Sequence, residues 1–135
     1  MQPTSKQFRK RNAILSCLQG SKEHPSAEMV LQLLATEHPD ISLATVYRNL
    51  ALFRSQGLIQ SLGTVQGIER FDACTAPHAH LVCTQCGSVA DLPSVELPYR
   101  QAEDACAKTG FEIRDCQLTY TGVCGACNQK QSKIN

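Results

Sequence analysis

"ISLATVYRNLALFRSQGLIQSLGTVQGIERFD", residues 41–72, decides the fold. Ser42 stands where a helix N-cap is needed. Leu43, Val46, Leu50 and Phe53 follow at spacings of 3, 4 and 3, the repeat of one buried helical face. Thr45, Tyr47, Arg48 and Asn49, all hydrogen-bonding side chains, fall on the other face. Gly57 is a C-terminal stop. After it, two short apolar runs are split by Gly63 and Gly67, the signal of a hairpin.

Upstream the period stays helical. "FRKRNAILSCL" sets Phe8, Ile14, Leu15 and Leu18 on one stripe. "HPSAEMVLQLLATEH" offers Ser26 as an N-cap and Met29, Val30, Leu33 and Leu34 as a buried face. Pro39 ends that helix, because a proline disfavours helix at the residue before it. Three helices followed by a hairpin is the order of a winged helix-turn-helix.

From residue 78 the period changes. "HLVC" and "SVADL" read as short strands around a Cys-x-x-Cys-Gly turn. "PYRQAEDACAKTG" reads as one helix ending at Gly110, and "FEIRDCQLTYTGVC" as two strands or one bent strand. The polar tail "NQKQSKIN" reads as loose. The fold class expected is therefore α+β. A winged-helix DNA-binding domain occupies 1–72, a hinge 73–77, and a small α/β dimerisation and metal-binding domain 78–135.

At 135 residues and 42% apolar composition, two half-size units would each have a thin core. A metal staple would help either one. Residues 1–70 carry eight basic and five acidic side chains, and residues 71–135 carry five and seven. A basic N-terminal half permits nucleic-acid contact there. No 18-residue apolar run is present, so no membrane span is expected. The N-terminus has no apolar signal segment, and a cytoplasmic location is expected. Eight cysteines without a secretory signal, four of them in two Cys-x-x-Cys pairs, point to metal ligation rather than disulfides.

Cys83, Cys86, Cys124 and Cys127 form those pairs, with 37 residues between them. Each short loop lets two thiolates reach one ion, and two loops complete a tetrahedral site, read as one structural Zn2+ per subunit. "HAHLVC" then poses a separate question. In a strand, His78 and His80 share a face, whereas Cys83 lies on the opposite one, so two sites are expected. Asp72, Cys74, Asp91 and His24 are the candidates to complete the histidine site. With His24 or Asp72 included, that site would link the two halves of the chain, as a metal sensor requires.

These stretches together resemble the ferric uptake regulator (Fur) family over nearly the whole chain. "HPSAEMV", "ISLATVYRNLALFRSQGLI", "RFD", "HAHLVCTQCG" and "YTGVCGAC" stand in the family's order and spacing. The resemblance implies a homodimeric transcription factor that binds A/T-rich inverted repeats in double-stranded DNA when its sensor site is metal-loaded. It makes "LATVYRNL" the recognition helix, with Tyr47 and Arg48 sent to DNA. Thr45, Asn49 and Arg11 are further DNA-contact candidates. The family's Thr-Pro-Gln-Arg before the first helix reads "FRKR" here, and only Arg11 keeps its place. A second regulatory site common in the family is expected to be absent, since Pro77, Ala79 and Cys116 stand where ligands would. Cys17, Cys106 and Cys116 are then packing residues.

Two branches compete for the sensed signal. His24, Asp72, His78, His80 and Asp91 match the nitrogen/oxygen site of the peroxide regulator (PerR) branch, where bound iron catalyses oxidation of a ligand histidine. Cys74, just ahead of the His-x-His pair, matches the zinc uptake regulator (Zur) branch. One thiolate shifts a site toward softer metals. The regulatory metal expected is therefore Zn2+, with Fe2+ or Mn2+ as the alternative. A metalloenzyme is not expected, because no glutamate base sits beside the histidines. Nor is a redox dithiol, because the βαβ context is missing.

Overall fold

The computed structural model describes residues 4–93 and 95–134, with side chains as far as residue 129. The chain divides into two units, Met1–Thr75 and Ala76–Asn135.

The first unit holds α1 (Ser5–Gly20), α2 (Ala27–Leu34), α3 (Leu43–Ser55), β1 (Gln60–Val65) and β2 (Ile68–Asp72). Its helices begin where the sequence offers side-chain caps. Ser26 Oγ accepts from Met29 N and Ser42 Oγ from Thr45 N, each at 3.2 Å. Thr4 and Gln7 form a reciprocal capping box at the start of α1. Each cap satisfies a backbone N–H that the helix leaves unpaired. Ile14, Leu18, Val30, Val46, Leu50 and Phe53 meet in one core, closed by Ile41, Ile59 and Phe71. The apolar stripes are narrower than their sequence pattern. Phe8 and Leu33 lie outside this core and remain exposed.

β1 and β2 pair antiparallel as the wing. Gln66 and Gly67 connect them with φ of 53° and 80°. Two successive positive values make a type I′ turn, whose twist matches that of the flanking strands. Gly63, at φ 80°, falls where the pairing register shifts between Ser61 and Thr64. On β2 Phe71 enters the core. Arg70 and Asp72, two residues apart, share the other face, and both are buried.

The second unit holds β3 (Ala79–Cys83), β4 (Val89–Leu92), α4 (Tyr99–Cys106), β5 (Thr119–Gly122) and α5 (Gly125–Ile134). Its sheet runs β4-β3-β5, antiparallel on one side of β3 and parallel on the other. Ala79, Cys83, Val89 and Leu97 are its buried apolar residues among those described, a thin core.

Two readings of this unit are corrected. The stretch 111–118 is not a strand. Thr119 pairs with His80 and Leu118 O accepts from His80 N at 3.1 Å, so the residues before Leu118 run past the start of β3. The tail is helical as far as Ile134, since α5 spans Gly125–Ile134. Asn128 N bonds Cys124 O at 2.8 Å, so the second cysteine pair forms the helix's first turn and nucleates it.

Candidate metal centres and DNA-facing helix

The two Cys-x-x-Cys pairs converge. The sulfurs of Cys83, Cys86, Cys124 and Cys127 all lie within 4.8 Å of one another. Cys86 Sγ and Cys124 Sγ are 3.8 Å apart. Zinc–sulfur bonds of about 2.3 Å at tetrahedral angles require a sulfur–sulfur distance of about 3.8 Å, so the donor set fits zinc. β3 supplies Cys83 at its end and the turn supplies Cys86. The stretch from β5 into α5 supplies the other pair.

Backbone amides prepare the site for thiolate. Cys86 N and Cys124 N both donate to Cys83 Sγ, at 3.5 and 3.3 Å. These bonds, that from Cys86 foremost, hold the Cys83 thiol down at about 6. Cys86 is also lowered, chiefly by its hydrogen bond with Ser88. Cys127 is pushed up to about 12, first by its hydrogen bond with Cys124 and then by burial. Without metal, then, Cys83 favours the charged form at neutral pH, while Cys127 keeps its proton.

No histidine joins this cysteine group, which answers the one-site-or-two question raised by "HAHLVC". His78 precedes β3 and His80 lies on it, and their ring centroids are 4.3 Å apart. Across the ladder His80 stands opposite Asp91 of β4. His78 Nε2 and His80 Nε2 approach Asp91 Oδ1 at 2.9 and 3.4 Å. His78 Nδ1 lies 2.7 Å from Ala76 O. A donor bond from Nδ1 to that carbonyl would leave the Nε2 lone pair for a metal, with the cation taking the place of the proton that otherwise lies between Nε2 and Asp91. Two imidazoles and one carboxylate thus converge within this unit.

In the first unit, His24 and Asp72 form a second imidazole–carboxylate pair, with Nδ1 and Oδ1 3.6 Å apart and both side chains buried. Asp72 is oriented by an Asx turn, accepting from Cys74 N at 2.8 Å. Cys74 differs from expectation. Its side chain is exposed, and its sulfur joins neither of the ligand groups found among the described residues. Only its backbone is engaged, donating to Asp72 and accepting from Gln60 Nε2 at 2.9 Å. Leaving β2, the chain turns so that the backbone at 74, rather than the thiol, meets the carboxylate. Of the other cysteines, Cys17 packs against the core, and Cys106 and Cys116 are half-buried.

On α3, Tyr47 and Arg48 are exposed. Tyr47 OH donates to Glu28 Oε1 at 2.7 Å, which holds the Glu28 carboxyl below its ordinary range and raises the phenol. Arg48 Nη2 donates to Thr45 Oγ1 at 3.1 Å. Asn49 requires a correction, because it is buried. It lies three residues after Val46 and four before Phe53, on the edge of the apolar stripe. Its amide donates to Thr45 O at 2.9 Å and its Oδ1 accepts from Arg11 Nε at 3.1 Å. Asn49 and Arg11 therefore tie α1 to α3. Neither Glu28 nor Arg70, which anchors the loop carrying His24, stood out in the sequence. Arg70's place two residues before Asp72 on one strand was the available signal.

A winged helix with an exposed tyrosine and arginine, in one chain with a four-cysteine metal site and histidine–aspartate ligand groups, defines a metal-dependent transcriptional regulator rather than an enzyme. The chain belongs to the Ferric uptake regulator family, which it matches over residues 4–121. Regulators of this family bind operator DNA as dimers. Over 123 residues it is 37% identical to the peroxide operon regulator of Bacillus subtilis (strain 168), covering 90% of this chain and 83% of that protein. The crystal structure of the Campylobacter jejuni peroxide stress regulator matches with a TM-score of 0.75 and 30% identity, over 90% of this chain and 91% of that one. FurB of M. tuberculosis, a zinc uptake regulator, matches with a TM-score of 0.51 and 32% identity, over 90% and 95%. The expected preference for the zinc branch is not supported. Its one chemical argument was the Cys74 thiol, which stands apart from the ligand groups. Among the described residues, no helix is long and apolar enough to cross a membrane.

Proposed function

We propose that this protein is a peroxide-responsive repressor. As a homodimer it binds an A/T-rich inverted repeat while its regulatory site holds ferrous iron or manganese. Hydrogen peroxide releases it by oxidising a ligand histidine of the iron-loaded form. The observation that carries this reading is the donor set. His24, Asp72, His78, His80 and Asp91 offer three imidazoles and two carboxylates, and the one nearby thiol is turned away. Nitrogen and oxygen donors suit manganese and iron better than a thiolate-bearing set does. The likeness to peroxide regulators supports the same choice.

The two groups are each short of a full coordination shell, with two donors in the first unit and three in the second. We propose that His24, Asp72, His78, His80 and Asp91 all serve the regulatory metal, whose occupancy sets DNA binding. Bound iron supplies the redox chemistry that activates peroxide. The protein's part is to present the nitrogens and carboxylates and to orient the rings through bonds such as His78–Ala76. Zinc at Cys83, Cys86, Cys124 and Cys127 has the separate task of stabilising the second unit. The exposed apolar residues Leu81, Phe111, Tyr120 and Val123 of that unit supply surface for dimerisation.

The test uses an operator selected from random duplexes by the manganese-loaded protein. Peroxide should release the ferrous protein from that operator and add one oxygen atom to His24, His78 or His80, read by peptide mass spectrometry. The manganese-loaded form should stay bound. Binding that responds to nanomolar buffered zinc, with an iron form indifferent to peroxide, would sink the proposal.

A further inference from the structure

His24 has a backbone that needs an explanation. Its φ is 53°, in the left-handed region, although it carries a bulky side chain and precedes a proline. Such a conformation is unfavourable for a residue with a side chain and persists where its surroundings over-determine it. The surroundings here are β2. Arg70 Nε donates to His24 O and Arg70 Nη2 donates to Glu23 O, both at 2.5 Å, from positions 46 and 47 residues away in sequence. Phe71 N donates to Pro25 O at 3.2 Å. Three successive carbonyls, 23 to 25, are thus held by two successive residues of one strand. Two residues further along the Arg70 face, Asp72 meets the His24 imidazole at 3.6 Å. One strand face grips both ends of the same histidine, the guanidinium at its carbonyl and the carboxylate at its ring.

We infer that Arg70 is a positioning residue for the regulatory metal site, holding the Glu23–Pro25 loop so that His24 presents its ring beside Asp72. This rests on the reading of His24 as a ligand of that site. The chemistry calls for arginine in particular. A planar guanidinium offers donors in a fixed fork that spans two adjacent carbonyls. A lysine ammonium, a point charge on a flexible stem, does not fix two acceptors in one geometry. The residue touches no metal, and its effect passes through the backbone of the ligand it holds.

The experiment uses the full-length dimer with the four-cysteine site zinc-loaded. Manganese affinity is measured by competition with a chelator for the wild type, His24→Ala, Arg70→Lys and Val65→Ala. The last loosens the same hairpin at its turn end, where Val65 pairs with Ile68 and takes no part in the bonds to the loop. Arg70→Lys should weaken manganese binding about 10- to 100-fold, the usual effect of losing a partner that orients a ligand. It should also shift the His24 ring resonances in the manganese-free protein, and leave zinc content unchanged. Val65→Ala should lower the melting temperature and leave manganese affinity near wild type. In the wild type the Arg70 Nε–H should exchange slowly with solvent, a measurement that holds even if Arg70→Lys folds poorly. Unchanged affinity in His24→Ala overturns the ligand reading, and the positioning role with it. If His24→Ala weakens binding while Arg70→Lys does not, the role of Arg70 alone falls. That role falls equally if Val65→Ala weakens binding as much as Arg70→Lys, or if the Nε–H exchanges freely.

Discussion

Replacing Cys127 by serine removes one of four sulfurs from the site that joins β3 to α5. The apparent binding free energy of a structural zinc is about 10–16 kcal/mol, and in such units it is folding free energy. Shared among four ligands, each sulfur carries about 2.5–4 kcal/mol. The unit's own core is small. Val89 and Leu97 are its larger buried aliphatic residues among those described, each worth about 1.5–3 kcal/mol when fully buried. Loss of one ligand is therefore comparable to the unit's larger aliphatic contacts together. Met1–Thr75, with Ile14, Val30, Val46, Leu50 and Phe53 buried, does not depend on zinc. Cys127→Ser should release zinc to a mild chelator and open Ala76–Asn135 to amide hydrogen exchange. Protection in α1 to α3 should hold, and the dimer should weaken. Hydrogen exchange read by mass spectrometry, with zinc content measured in parallel, resolves the two units. Wild-type protection in residues 76–135 after zinc has left would refute the reasoning, and so would equal loss of protection in both units.

Zinc affinity at this site should rise with pH. Cys127, at about 12, must give up a proton to bind at neutral pH, and Cys83, lowered to about 6, must do so only below that value. The pH dependence measured by chelator competition should therefore steepen on the acid side of about 6. In the metal-free protein the depressed Cys83 pKa stabilises the fold above the unfolded value of about 8.5 and ceases to do so as pH falls through about 6. Tyr47→Ala should weaken specific operator binding, at about 1–3 kcal/mol per lost base contact, with metal load and dimerisation unchanged in gel-shift and sedimentation assays. Asn49→Ala should act on stability, lowering it by about 1–3 kcal/mol in urea unfolding, because it removes the buried acceptor of the half-buried Arg11 guanidinium. Cys74→Ser should leave manganese-dependent DNA binding and peroxide release of the iron form as in wild type, and a lost metal response would restore the thiol as a ligand.

The elements with local causes were legible in the chain itself. Ser26 and Ser42 cap the helices they precede, because a cap acts within three residues. The inward face of α3 follows from the 3.6-residue period, and the hairpin from glycines where φ must be positive. The pairing of two Cys-x-x-Cys loops was readable because few other arrangements use four thiols at that spacing. Tertiary structure decided the rest. Asn49 sits on the margin between two helix faces, and only the approach of α1 assigns it to the interior. Cys74 is near Asp72 in sequence, but the turn after β2 aims its amide inward and its thiol outward. Arg70 owes its role to carbonyls 46 and 47 residues away. Residue type and spacing report which donors exist. Which of them converge depends on backbone direction at turns and on long-range packing, and neither leaves a periodic trace in the sequence.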